Sequence, residues 1–194
     1  MPFQRCVARA LAAAAVVLCT VPSLAAQNQF GYRVLSTAKT STMQKEMQEA
    51  ADAGYRFAGV MGGETAIGGS EVVVVMSRRS DPMAWEYRLL ATNKTSTLQK
   101  ELQEAGEAGF DYRGQTQFKS AFGGKEVVVI LERPKDAGAR IRFQYQLLAT
   151  TRTSTMQKEL TDAAERGFEF VGLTVGKTAM GGDEVVSILR RQGR

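Results

Sequence analysis

Residues 87–110 read YRLLATNKTSTLQKELQEAGEAGF, and residues 32–55 and 145–168 repeat the pattern. Each copy opens with a tyrosine in an alternating stretch, passes through Thr-Ser-Thr into a run at helical spacing, and ends in glycine and an aromatic. Each then continues to Gly-Gly-x-Glu-Val-Val, at Gly68-Gly69, Gly123-Gly124 and Gly181-Gly182. Laying residues 30–79, 85–134 and 143–192 over one another without gaps leaves 19 of 50 positions identical in all three, at offsets of 55 and 58 residues. Self-similarity of this degree marks a tandem array.

One copy reads as β-α-β-β. Trp85, Tyr87, Leu89 and Ala91 alternate with Glu86, Arg88, Leu90 and Thr92, which argues a half-buried strand. Ser41, Ser96 and Ser154 read as N-caps, and Gln44, Gln99 and Gln157 three residues on complete a capping box. Apolar residues follow at helical spacing, with i,i+4 pairs on the outer face at Lys45–Glu49, Lys100–Glu104 and Lys158–Asp162. Gly54, Gly109 and Gly167 are expected to end the helices in the left-handed conformation, with Tyr55, Phe110 and Phe168 packing back on the last turn.

Two more strands complete the copy. Gly59, Gly114 and Gly172 lie inside the first of them, where glycine signals a bulge or a close backbone approach, here expected from the copy's own helix. The second is apolar on both faces, as in Glu71-Val72-Val73-Val74-Val75-Met76, which requires cover from its own helix and from another copy. Ser187 stands where copies one and two have Val74 and Val129, as expected if the last copy is less covered there. The predicted fold is α+β: modules over residues 27–80, 85–134 and 141–194, antiparallel sheets with helices on one face, related by a pseudo-threefold or joined edge to edge.

Residues 1–26 read as a removed signal peptide: Arg5 and Arg9, an apolar run from Ala10 to Val21, and a small-residue cleavage site after Ala25 or Ala26. That predicts an exported, soluble, periplasmic or extracellular protein with no membrane span in its mature chain. Both cysteines, Cys6 and Cys19, fall in this segment, and the chain has no histidine. Disulfide, thiolate, imidazole and Cys/His metal or haem chemistry are therefore outside the mature chain's means. Its net charge falls from +5 to +3 with the two arginines, interleaved with acids, which gives no case for nucleic acid.

The elements Trp85-Glu86-Tyr87, Gly109-Phe110, Val127-Val128-Val129-Ile130 and Arg133, with their counterparts in the other copies, resemble the small bacterial domains grouped as domain of unknown function 4177. Those domains usually carry Gly-Trp where this chain has Gly-Tyr or Gly-Phe. The resemblance spans the mature chain three times over and implies a fold without implying an activity. The β-α-β-β order is also that of dodecin-like flavin binders, a likeness of topology alone.

Three sets of residues invite a functional reading. Lys39 and Ser41, Lys94 and Ser96, and Arg152 and Ser154 place a cation beside a helix N-terminus, which suits an anion, or simply caps the helix. Ile67, Phe122 and Met180 precede the Gly-Gly pairs, as partner-contact loop tips if exposed and core caps if buried. Glu71, Glu126 and Glu184 would bind a cation or move protons if a pseudo-threefold gathered them; otherwise they are solvated strand ends or partners of Arg78, Arg133 and Arg191. The reading that follows is an exported non-catalytic module, with no cofactor or metal, that binds a protein or small ligand and is open to self-association. The alternative is a flavin- or phosphate-type carrier or enzyme with its site between modules.

Overall fold

The structure, a computed structural model, describes residues 31–65, 69–78, 83–119, 125–136, 141–177 and 182–193. The proposed signal peptide and the tips Ile67, Phe122 and Met180 lie outside them. The three copies are three β-α-β-β modules. Module 1 holds β1 (Tyr32–Thr37), α1 (Thr40–Asp52), β2 (Tyr55–Thr65) and β3 (Gly69–Arg78). Module 2 holds β4 (Trp85–Thr92), α2 (Thr95–Glu107), β5 (Asp111–Lys119) and β6 (Lys125–Pro134). Module 3 holds β7 (Phe143–Thr150), α3 (Thr153–Glu165), β8 (Glu169–Lys177) and β9 (Asp183–Gln192).

Each module is a three-stranded antiparallel sheet with its last strand central: β1-β3-β2, β4-β6-β5 and β7-β9-β8. The sheets are separate, not joined edge to edge. Central placement explains the two-sided valine strand. In β6, Val127, Val129 and Leu131 face a core with Leu98 and Leu102 of α2, while Val128 and Ile130 face a core with Met43 and Met47 of α1. Each core thus straddles a module boundary, so a lone module could not complete one.

The helices end as expected. Gly109 has φ +86°, its N–H bonds the Gly106 carbonyl and that of Phe110 bonds Ala105, the Schellman pattern. Arg133 adds a donor to the Ala108 carbonyl at 2.6 Å while stacked over Phe110, and Arg191 does the same at Arg166, stacked over Phe168. This is what the recurrent arginine is for. It does not pair with the recurrent glutamate: Arg78 pairs with Tyr55 in the sheet register and Glu71 with Gly63, at opposite ends of the strand.

Helix starts differ from expectation. Lys39, Lys94 and Arg152 are the N-caps, the serines already lie inside the helices, and none of the three caps makes a side-chain bond. The hydroxyls of Thr37, Thr92 and Thr150 instead accept the N–H of Lys39, Lys94 and Arg152, turning the chain before the helix begins. Ser187 also departs: it is fully buried, with no partner for its hydroxyl among the described residues, not at a less covered site. No helix among the described residues is long and apolar enough to cross a membrane.

Placing Ala at Gly109 forces a side chain into the left-handed region, which costs about 1–2 kcal/mol. Urea denaturation of Gly109→Ala is expected to show that loss, and an unchanged midpoint would contradict the assigned backbone.

Candidate functional site: the junctions between modules

An edge strand leaves every second backbone N–H and C=O without a sheet partner. Here the preceding helix supplies one. Gln48 of α1 donates to the Trp85 carbonyl at 3.1 Å and accepts the Tyr87 N–H at 3.1 Å, and Gln44 accepts the Leu89 N–H at 2.8 Å. One module on, Gln99 donates to the Tyr145 carbonyl at 2.9 Å and accepts the Leu147 N–H at 2.7 Å, while Gln103 accepts the Tyr145 N–H at 3.2 Å. Gln44 and Gln99 are thus not capping-box members: their amides close the next module's open edge. Copy three breaks the pattern, with Thr161 where Gln48 and Gln103 stand.

Beside the clamp, an aromatic of one module fills a gap left by glycine in the next. A Cβ on Gly114 would come 3.0 Å from Phe57 Cζ, and one on Gly172 only 2.4 Å from Tyr112 Oη. The strands do bulge at these glycines. The close neighbour, though, is the previous module's aromatic, not the helix of the same copy.

A polar set locks each junction. The Tyr87 hydroxyl accepts the Phe57 N–H at 2.8 Å and donates to Glu132 at 3.0 Å. Glu132 is buried and takes Arg56 of module 1 at 2.5 Å and Arg113 at 3.1 Å. At the second junction Tyr145 donates to the Phe110 carbonyl at 3.0 Å, and Arg190 pairs with Asp111 and, at 3.1 Å, with Glu169. Arg56 and Asp111 are equivalent positions, as are Glu132 and Arg190, so the charges swap between junctions. Burial, reinforced by the Glu132 charge, pushes the Tyr87 hydroxyl far above the usual phenol range. Burial does the same to Tyr145, reinforced by Asp111, and carries Tyr112 to about 12.

Each module therefore has a downstream face, its helix with the β2-type strand beside it, and an upstream face, the opposite side of its sheet. At the chain ends these faces are unfilled. Tyr32 is 67% exposed where Tyr87 and Tyr145 are each 3% exposed, and Val34 and Met61 are exposed beside it. Among the described residues no atom lies within 4 Å of a Cβ placed on Gly59. Val73 and Val75 are half-buried where Val128 and Ile130 are fully buried. At the other end Phe170, Leu173 and Val175 are exposed. Met156 and Leu160 of α3 are half-buried, where Leu98 and Leu102 of α2 are fully buried.

The residues singled out from sequence are placed otherwise. Lys39, Ser41, Lys94, Ser96, Arg152 and Ser154 are all exposed, at three separate helix starts. At α2 the adjoining Thr95 hydroxyl donates to Glu184 of module 3 at 2.7 Å, so a carboxylate of the protein itself sits at that terminus. Glu71 accepts from Ser36 at 2.6 Å, and the described residues contain no metal-holding group of three or more acidic side chains. A cleft of about 460 Å³ between modules 2 and 3 does bring Glu126 and Glu184 together, with Lys125 and Gln117. A recess of about 840 Å³ lies beside Arg166, Arg190 and Arg191, whose guanidinium groups are already bonded to Gln146, to Asp111 and Glu169, and to Gln144.

Glu132→Ala leaves two arginines facing a buried gap, and removal of one member of a buried pair costs about 3 kcal/mol. Denaturation should show that loss, and a change under 1 kcal/mol would mean the junction is not held there. Raised tyrosine pKa values give a second test. An unfolded tyrosine ionises near pH 10 while the buried ones stay protonated, so their stabilisation is whole below about pH 10 and lost as pH rises toward 12 and beyond. Melting temperature is expected to fall steeply over that range, and less steeply in Tyr145→Phe; equal slopes would contradict the burial of that hydroxyl.

Comparison with family models, with curated proteins and with solved structures gives no match to this chain.

Proposed function

We propose that the protein is a non-catalytic interaction module, exported behind the leader read at residues 1–26, that binds a protein partner through its two unfilled end faces. One observation carries this reading: among the described residues, the large exposed apolar side chains in strands, Tyr32, Val34, Met61, Phe170, Leu173 and Val175, all lie on those two faces. Monomeric soluble proteins rarely leave such groups together unless something docks there. The chemistry left to the chain points the same way, since proton-transfer catalysis most often recruits histidine and this chain has none. The likeness to domain of unknown function 4177 fits a small fold used in copies, and no cofactor is proposed.

A photo-crosslinking residue placed at Val34 or at Leu173 in the producing organism is expected to trap a protein, while the same residue at Lys45, exposed on the outer face of α1, traps none. Absence of any adduct at both end faces would sink the reading.

A second reading rests on the cleft between modules 2 and 3, which Glu126, Asp183 and Glu184 line together with Lys125 and Gln117. Carboxylates with amide and ammonium donors at a junction suit a small polar ligand, bound as cargo or turned over. Native mass spectrometry separates the two, because a bound small molecule adds a fixed mass to the folded chain and a bare chain leaves only the protein-binding reading.

A further inference from the structure

The two end faces are the two halves of one junction, displayed at opposite ends of the chain. Module 3 offers downstream most of what modules 1 and 2 use inside the chain, with Gln157 kept at the position of Gln44 and Gln99 and Thr161 in place of the second clamp glutamine. Phe170 matches Phe57 and Tyr112; Leu173 and Val175 match Gln115 and Gln117, which reach across to the Leu173 carbonyl and, at 2.7 Å, the Val175 carbonyl. Module 1 offers upstream what modules 2 and 3 use to receive. Gly59 matches Gly114 and Gly172, Tyr32 matches Tyr87 and Tyr145, and Val34 matches Leu89 and Leu147. The exposure of Tyr32 and Phe170 shows that the chain does not fill one end with its own other end.

We propose that a second copy of this chain is the occupant: module 3 of one copy seats on module 1 of the next, head to tail, repeating the internal junction. This rests on the interaction reading above and names its partner. Phe170 enters the gap at Gly59, the Tyr32 hydroxyl meets the backbone beside Phe170, and Gln157 meets the open β1 edge at Tyr32 and Val34. The side chains that differ from the internal junctions differ in matched fashion. The second junction is polar on both sides, with Gln117 donating to the Thr174 hydroxyl at 3.1 Å. At the copy-to-copy junction Met61 replaces that threonine position and Val175 replaces that glutamine position, so apolar meets apolar. Charge also permits it. Glu169 takes the position of Arg56 and Asp111, and Ser77 that of Glu132 and Arg190, so a carboxylate meets a hydroxyl rather than a like charge. Because the two faces are different surfaces, the contact is heterologous and builds a ring or a filament, not a twofold dimer.

The test uses the protein purified from its own host, with sedimentation velocity from about 1 µM to about 1 mM. Phe170→Glu spoils the downstream end face and Val34→Glu the upstream one; both sites are exposed, so melting curves should match the unaltered protein. The unaltered protein is expected to form species larger than one chain, and each variant to weaken association by a factor of about 100. Mixed in equal amounts, the two variants should form a species of two chains and nothing larger, since each retains the half that the other lacks. A monomer throughout, or twofold dimers that persist in both variants without needing the mixture, overturns the proposal. If that result comes with crosslinks to another protein at Val34 or Leu173, the interaction reading stands and only the identity of the partner is wrong.

Discussion

An open strand edge offers backbone donors and acceptors to whatever arrives first, and in this protein what arrives is a glutamine from the helix before it. Gln44 and Gln48 serve β4 as a neighbouring strand would, and Gln99 and Gln103 serve β7. The rest of the architecture follows from that placement. A helix held along the next module's edge brings its Met or Leu stripe against the next sheet as well as its own, so each core is completed across a boundary. The neighbouring strand is carried along, and its aromatic lands on the next module's glycine. Stability in such an array is a sum of module terms and junction terms. The straddling cores put much of it in the junctions.

The order of elements was legible because it depends on local signals: period-two alternation at Trp85–Thr92, helical spacing from Met43 to Ala51, and Gly-aromatic at each helix end. The need for cover on both faces of Val127–Leu131 was equally plain. What could not be read is where a residue's partner comes from. Ser96 with Gln99 has the spacing of a capping box, yet Gln99 bonds a strand 46 and 48 residues away. Gly114 announced a tight approach without saying that Phe57, in another copy, makes it. Ser187 looked like a residue facing water and is buried, because its position on β9 is set by the register with Leu173 and Leu148 rather than by its polarity.

One signal for the junctions was present and needed the fold to be interpreted. Some of the positions that differ among copies lie on the faces where modules meet: Gln48, Gln103 and Thr161; Arg56, Asp111 and Glu169; Ser77, Glu132 and Arg190. The invariant positions, by contrast, largely build the module itself: the helix-ending glycines, the arginine on the last helical carbonyl, the threonine that turns the chain before the helix. Identity alone does not separate scaffold from junction, because Gln44 and Gln99, Tyr87 and Tyr145, and Gly114 and Gly172 are invariant and all serve the junctions.

Near-identical neighbours in one chain carry a hazard during folding, because a segment can mature against the wrong copy. The reversed ion pairs bear on that. If module 1 skipped its successor and settled on module 3, Arg56 would meet Arg190 in place of Glu132. Two guanidinium groups in a half-buried site repel, whereas the correct neighbour offers a carboxylate already fenced by Arg113 and Tyr87. The swap thus works as an address written in charge: it adds little to a finished junction beyond any other ion pair, but it makes the shortcut a dead end from which the chain can withdraw.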